Sequence, residues 1–270
     1  MKRVIVFMVA GMSSRFGGTI PKQFAKVGPN DETLIEISVN DALTQSFDEI
    51  VFITNPKTEH LFVNLFGSSY QNIPVFYIQQ KMEEFRTRPW GTTDAVCSIL
   101  EYDNFFMDSI FTIINGDDLY GKKAFQKMTE LLNEKNTNYI GGIPILDTII
   151  GDEKVNRGVI TLDENQVDVI EIEEKLEISR SDETIQNCLA NMNFLILKSQ
   201  TLCLLKTILN QFKHEHPEDP KIECFLTDSL NQLIKAKEIE ISFLPLPEKV
   251  IGVTRQDDIP IVQKILKQRL

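Results

Sequence analysis

Cysteine is scarce in this 270-residue chain, and the four that occur, Cys97, Cys188, Cys203 and Cys224, lie far apart. No CxxC pair exists, so neither a zinc knuckle nor a dithiol redox motif can be assembled. Such usage points to a reducing, cytoplasmic setting. Histidine is equally thin. His60, His214 and His216 leave no means of building a Ser/His/Asp nucleophile, and His214-Glu215-His216, followed by Pro217 and Pro220, reads as a surface turn after a helix rather than a metal site. Positive charge also runs short: 28 Lys and Arg face 39 Asp and Glu, a net charge of −11, so the summed field repels nucleic-acid phosphates. Aromatics are not interleaved with basic residues, and no nucleic-acid partner is expected. Long apolar runs are missing too, since nothing approaches the roughly 20 residues of a membrane span. Lys2-Arg3 before the apolar run Val4 to Ala10 looks like the start of a signal peptide, but the run is short and Gly-Met-Ser-Ser-Arg follows it in place of a cleavage site. It reads as a first buried strand of a soluble protein with no membrane partner.

What is present is ordinary globular composition, 42% hydrophobic and 25% charged. Short apolar runs alternate with stretches of helical period, the pattern of βαβ units around a largely parallel sheet. Strands are expected at Val4 to Val9, Glu49 to Thr54, Val75 to Gln79, Ile110 to Asn115, Ile140 to Pro144, Gly158 to Leu162, Met192 to Leu197 and Ile239 to Phe243. Helical stripes run through Leu34, Ile35, Val39, Ala42 and Leu43, and through Lys122 to Lys135. Others start at Ser199 as N-cap, run from Phe225 to Ile234, and begin near Asp258 with Pro260 in the first turn. No repeat and no Gly/Ser linker divides the chain, which reads as one α/β domain. Within it, residues 1–120 are taken as a nucleotide-binding half and residues 121–270 as an acceptor-binding half.

The first strand empties into Ala10-Gly11-Met12-Ser13-Ser14-Arg15-Phe16-Gly17-Gly18, followed by Pro21-Lys22-Gln23. A small-residue loop at the carboxyl end of a buried strand leaves backbone N–H groups free to face phosphate oxygens, and Arg15 and Lys22 add positive charge. The loop is neither the dinucleotide GxGxxG nor the Walker pattern, so hydride transfer and P-loop hydrolysis lose support. By itself it could also be a Gly-rich turn with two solvated cations. Further on, the apolar strand Ile110 to Asn115 ends in Gly116-Asp117-Asp118, adjacent carboxylates able to offer hard oxygen ligands to Mg²⁺ or simply to solvate a turn.

Taken in order, these segments resemble the sugar-phosphate nucleotidyltransferases, and most of all a bacterial group of predicted nucleotidyltransferases. AGMSSRFGG with the following PKQ is similar to the family's AGxGSR…PK signature, and VGPNDETLIEISVNDA, from Val27 to Ala42, to its VGPNGETIIDYSIYDA stretch. Arg88 to Val96 resembles PWGTAxAV, NGDDLYG resembles NADDFYG, and Asn156-Arg157-Gly158-Val159 resembles SRGV. Glu173-Glu174-Lys175, Met192-Asn193 and Phe225-Leu226-Thr227-Asp228 are similar to later family elements. The charge run Glu171 to Glu177 is, by composition alone, a solvated face.

The resemblance implies a Rossmann-like, GT-A-type fold with a mostly parallel mixed sheet flanked by helices. It implies that Ala10, Gly11, Met12, Ser13, Ser14, Arg15, Lys22, Gln79, Gly91 and Thr92 bind an NTP, and that Gly158, Glu174, Lys175 and Asn193 bind a phosphorylated acceptor. Arg15, Lys22 and Asp117 would be the catalytic groups, with Asp117 also the Mg²⁺ ligand. The implied reaction moves NMP from an NTP to a sugar 1-phosphate and releases pyrophosphate, giving an activated sugar. Three departures stand out: Ser13 for the usual Gly, Leu176 for the Pro after Lys175, and no carboxylate in Lys249 to Thr254, where the family brings a second metal ligand. Asp118, Asp257 or Asp258 would then support the metal. Two rivals stay open, a cytidylyltransferase acting on a non-sugar phosphate such as phosphocholine and a non-catalytic nucleotide-binding module. A glycosyltransferase of related fold is disfavoured, because Arg15 and Pro21-Lys22 suit a triphosphate.

Overall fold

The computed structural model describes residues 1–11, 16, 20–102, 107–135, 137–149, 154–253 and 255–269. Its strands are β1 (Lys2–Met8), β2 (Glu49–Thr54), β3 (Ser69–Tyr70), β4 (Ile73–Gln79), β5 (Ser109–Asn115), β6 (Asp118–Leu119), β7 (Asn138–Pro144), β8 (Val155–Leu162), β9 (Val169–Ile178), β10 (Leu189–Lys198), β11 (Ile241–Pro245) and β12 (Ile251–Gly252). Its helices are α1 (Leu34–Ala42), α2 (Glu59–Phe66), α3 (Thr92–Cys97), α4 (Lys122–Glu134), α5 (Ser199–Glu215), α6 (Leu226–Lys235) and α7 (Ile259–Arg269).

Among the described residues ten strands make one sheet, with the path β11-β7-β10-β5-β1-β2-β4-β3 and the β8–β9 hairpin attached through β10. The pairs β1 with β2, β1 with β5, β2 with β4 and β11 with β7 are parallel, whereas β10 runs antiparallel to both β5 and β7. The expected mostly parallel mixed sheet is therefore the one that forms. Alternation along β1 explains the layers: Val4 and Val6 join a core with α3, α5 and α6, while Ile5 and Phe7 join a second core with α1, α2 and α4. Strands covered on both faces read as unbroken apolar runs, as β2 and β5 do.

Three local readings change. Ser199 is the first residue of α5 rather than its cap, and its hydroxyl donates to the Ser109 carbonyl at 2.9 Å. His214 and Glu215 belong to the last turn of α5, with His216 as C-cap. The charge run Glu171 to Glu177 is the middle of β9, whose Val169, Ile172 and Ile178 are buried while the charged residues face outward.

The end of β5 and the middle of β10 are tied together at the carboxyl edge of the sheet. In β10 the pairing with β7 slips between Asn191 and Phe194, and Asn193 takes a left-handed φ of 52°, a conformation Asn tolerates better than most residues. Tyr120, 1% exposed, donates its hydroxyl to the Met192 carbonyl of this bulge at 2.7 Å. The same hydroxyl accepts the Asn115 N–H at the end of β5 at 3.4 Å. Burial pushes the Tyr120 phenol well above its ordinary range, so it remains a neutral donor. Tyr120→Phe strands the Met192 carbonyl, and urea denaturation should report a loss of about 1–2 kcal/mol with an unchanged m-value. An unchanged midpoint would show that the bulge holds without this bond.

Candidate active site

At the end of β1, Ala10 is 8% exposed and its carbonyl accepts the Asn55 amide at 2.9 Å, while no atom of the described residues lies within 4 Å of where a Gly11 Cβ would stand. Met12, Ser13, Ser14 and Arg15 lie outside the described residues. The Pro21-Lys22-Gln23 segment forms a short 3-10 turn that starts at Lys22. The Lys22 ammonium makes an ion pair with the Asp117 carboxylate, both side chains being about a fifth exposed (18% and 24%). Strand adjacency explains the meeting, since β1 and β5 are parallel neighbours and Met8 pairs with Asn115. Gly116 allows it: a Cβ there would fall 2.2 Å from a Val9 methyl, and its N–H donates to the Met8 carbonyl at 3.1 Å.

Asp118 lies one residue further, in β6, opposite Gly252 of β12. A Cβ on Gly252 would fall 2.4 Å from the Asp118 Oδ1, so this carboxylate fills the place where a side chain on β12 would stand. Asn115 donates to Asp118 Oδ2 at 2.9 Å. Burial, with the Asp117 charge next, pushes the Asp118 carboxyl up to about 7. Asp258 is engaged elsewhere, its carboxylate accepting the Arg255 N–H at 2.7 Å, and Asp257 is exposed. Among the described residues no cluster of three metal-ligating side chains is preformed. Asp117 and Asp118 still suit Mg²⁺, which binds through one or two carboxylates plus substrate phosphates, and their mutual repulsion is what a divalent cation would relieve.

Gly91, at φ 99°, opens α3 as its N-cap, and a Cβ there would strike the Cys224 carbonyl at 2.7 Å. Thr92 does not cap its own helix. Its hydroxyl accepts the Leu226 N–H of α6 at 2.8 Å. Gln79 donates its amide to Glu59 at 3.0 Å, and it is the next residue, Gln80, that donates to the Gly91 carbonyl at 3.0 Å and to Asp94 at 2.9 Å. Asp94 also takes the Lys213 ammonium at 2.9 Å. Behind this loop Arg86, 3% exposed, lies 3.6 Å from the Trp90 ring centre and donates to the carbonyls of Arg88, Pro89, Asp219 and Ile222. The clamp fixes the Gly91 turn against the segment that leads into α6.

Gly158 stands opposite Glu174 in the β8–β9 hairpin, and Arg157 opposite Lys175. The groups nearest to the space a Gly158 Cβ would take are Asn191, Glu174 and Thr227, at 3.4 to 3.5 Å. Asn193 is drawn to Asn191, whose side chain bonds both its N–H at 2.8 Å and its Oδ1 at 3.1 Å. Loss of hydration and the Asp228 charge push the Glu174 carboxyl up, and loss of hydration raises Asp228 too. The start of α6 serves both halves, because Leu226 is bonded to Thr92 while Thr227 abuts Gly158. The structure thus joins Lys22 with Asp117, and Gly158 with Glu174. Gln80 stands beside Gly91, and Asn191 and Thr227 beside Gly158, next to Arg157, without having been assigned roles from sequence; Arg157 and Thr227 lie inside motifs that carry the resemblance, whereas nothing in the pattern marks Asn191.

Residues 6–243 match the model of a family described as nucleotidyl transferase. No curated protein sequence matches the chain significantly. Among solved structures, a UDP-glucose pyrophosphorylase complexed with UDP-glucose is similar at 18% identity and a TM-score of 0.72, with 100% of both chains covered. A UTP-bound UGPase from Acinetobacter baumannii is 15% identical, with a TM-score of 0.68 over 100% of this chain and 95% of that one. The inositol-1-phosphate CTP transferase from T. maritima is 12% identical, with a TM-score of 0.68 over 99% and 97% of the two chains. At these identities the likeness establishes a shared fold. Among the described residues no helix is long and apolar enough to cross a membrane.

The raised Asp118 carboxyl gives a pH dependence of definite sign. A carboxyl whose folded value exceeds its unfolded one stabilises the fold fully below the unfolded value and loses that contribution as pH rises through the folded one. Metal-free protein therefore gives up stability through Asp118 between about pH 4 and about pH 7. The melting temperature of Asp118→Asn relative to wild type should rise as pH increases across that window, and Mg²⁺ with NTP should shrink the difference. A pH-independent difference would contradict this.

Proposed function

The chain belongs to the nucleotidyl transferase family, and from that premise we propose that it transfers NMP from an NTP to the phosphate of a sugar 1-phosphate, with Mg²⁺, releasing pyrophosphate. The observation that carries this reading is the Lys22–Asp117 pair at the adjoining ends of β1 and β5. One is the cation that a leaving pyrophosphate requires and the other the hard oxygen donor that a phosphate-bound cation requires.

In the proposed step an oxygen of the acceptor phosphate, already deprotonated at neutral pH, attacks the α-phosphorus. A phosphoanhydride forms, the bond from the α-phosphorus to the oxygen bridging it to the β-phosphorus breaks, and pyrophosphate departs with that electron pair, taking a proton from water after release. No covalent enzyme intermediate is needed, so the protein's work is alignment and charge compensation. Lys22, with Arg15, stabilises the departing pyrophosphate. Asp117, supported by Asp118, would hold Mg²⁺, which polarises the phosphate oxygens and offsets their charge. Gly91 and Thr92 present backbone to the base, and Gln80 secures the Gly91 carbonyl behind them. Gly158 lets the acceptor ring approach the hairpin, where Glu174 and Asn191 offer hydrogen bonds to its hydroxyls, and Lys175 takes part in binding its phosphate.

The hydrogen-bonding groups around Gly158 favour a hydroxylated ring over phosphocholine, since a quaternary ammonium is best received by aromatic faces. Family membership and the paired charges at the sheet edge favour catalysis over mere nucleotide storage.

Pyrophosphate release measured over a panel of NTPs and phosphorylated acceptors tests the reading. Lys22→Ala should lower turnover by about 10²–10³-fold while the fold persists, and undiminished release would refute the assignment. Lys175→Ala should raise the acceptor KM while NTP affinity is held; an equal loss of NTP affinity would refute the division into two halves. Because Lys22 already occupies Asp117, Mg²⁺ titrated calorimetrically into the protein alone should bind weakly, and much more tightly once NTP draws Lys22 away. Tight binding to the nucleotide-free protein would overturn that account.

A further inference from the structure

An acceptor phosphate entering this cleft meets carboxylates. Asp117 and Asp118 stand at one end, the Asp228 charge opposes ionisation of Glu174 at the other, and a phosphate monoester brings a further charge of about −1.5 to −2. Lys22 is committed to Asp117 and the triphosphate. Some other cation has to receive the acceptor.

Arg157 occupies the right place. It precedes Gly158 in β8 beside the strand that carries Glu174, is half-buried, and its guanidinium acts electrostatically on both Asp118 and Glu174. Two of its donors are spent on anchoring: Nη1 to the Asn156 carbonyl at 2.9 Å and Nη2 to the Thr148 carbonyl at 3.2 Å. Its Nε is buried with no acceptor among the described residues. A guanidinium carries five N–H groups, so donors remain, and among the described residues none of its bonds goes to a carboxylate. A cation near two carboxylates but hydrogen-bonded to neither has donors to offer a third anion. Lys175, opposite it across the hairpin, is a weaker candidate, because its charge is felt by Asp182, the cap of the turn that follows β9.

Resting on the nucleotidyl-transfer reading above, we propose that Arg157 binds the acceptor phosphate by its guanidinium fork and turns the attacking oxygen toward the nucleotide half, with Lys175 as an auxiliary charge. A planar fork matches two phosphate oxygens at once, which a lysine ammonium does not.

The test uses the full-length protein saturated with Mg²⁺ and the α,β-methylene analogue of an NTP, so that the triphosphate loop is filled, and follows inorganic phosphate binding by ³¹P NMR. Arg157→Gln should weaken phosphate binding by about tenfold or more, and Arg157→Lys by a smaller factor, because charge survives without the fork. Affinity for the NTP analogue should stay within about twofold in both, and Lys175→Gln should cost less than Arg157→Gln. Circular dichroism melting identifies a variant that fails to fold, and if Arg157→Gln does, weakened phosphate binding by folded Arg157→Lys carries the test. Phosphate binding equal to wild type in the folded Arg157 variants, a larger loss in Lys175→Gln, or no phosphate binding by wild type that binds the analogue would overturn the assignment of Arg157. Failure of wild type to bind any of the NTP analogues would instead overturn the nucleotidyl-transfer reading beneath it.

Discussion

A nucleotidyl transferase family member with a net charge of −11 must place cations where like charges would otherwise collect. The contact on which the rest of the cleft depends is the Lys22 ammonium against the Asp117 carboxylate. It is available only because parallel β1 and β5 end side by side and because Gly116 leaves room for Val9. Without ligand each charge is the other's counter-ion. In the proposed reaction, ligand binding would exchange one pairing for two, lysine to phosphate and carboxylate to metal, so that little uncompensated charge is exposed at any stage.

The cleft has two walls, and α6 belongs to both. Leu226 is bonded to Thr92 at the base-side turn, and Thr227 packs against Gly158 in the acceptor hairpin. Arg86 supports this arrangement from beneath, its four carbonyl partners drawn from the segments before Trp90 and before Cys224. On the opposite side the Tyr120 hydroxyl joins the end of β5 to the bulge in β10. Relative placement of these elements is thus set by short bonds between segments distant in sequence, which suits the proposed reaction, whose rate depends on alignment.

The sheet was largely legible because strands buried on both faces read as continuous apolar runs, and β2 begins and ends where the pattern indicates. β9 was not, since one of its faces is exposed and carries Glu171, Glu173 and Glu177, which hides the buried Ile172 and Ile178 in a charge run. The eight-residue α2 shows too short a stripe to separate from loop, although Phe62 and Phe66 fill the core beneath β2. Within the cleft, motifs located the loops but not which neighbour in each faces inward. Gln79 and Gln80 differ by one residue, and in a strand that step changes the face: one amide goes to Glu59 and the other to Gly91. Arg157 was visible as a letter in a motif, but the carboxylates that define its role come from β6 and β9, and only the folded sheet brings them together.

The missing carboxylate on the late strand shows the same dependence on tertiary placement. Read as sequence, Ile251-Gly252-Val253 lacks a metal ligand. In the folded chain, Gly252 faces Asp118 so closely that no side chain could be added without displacing it. The late strand and the Asp117-Asp118 turn therefore compete for one volume, and in this protein a carboxylate from the turn fills it while glycine yields. The two strands stay paired through the register of Gly252 with Asp118 and through the Val253 N–H, which donates to the Asp117 carbonyl at 3.3 Å.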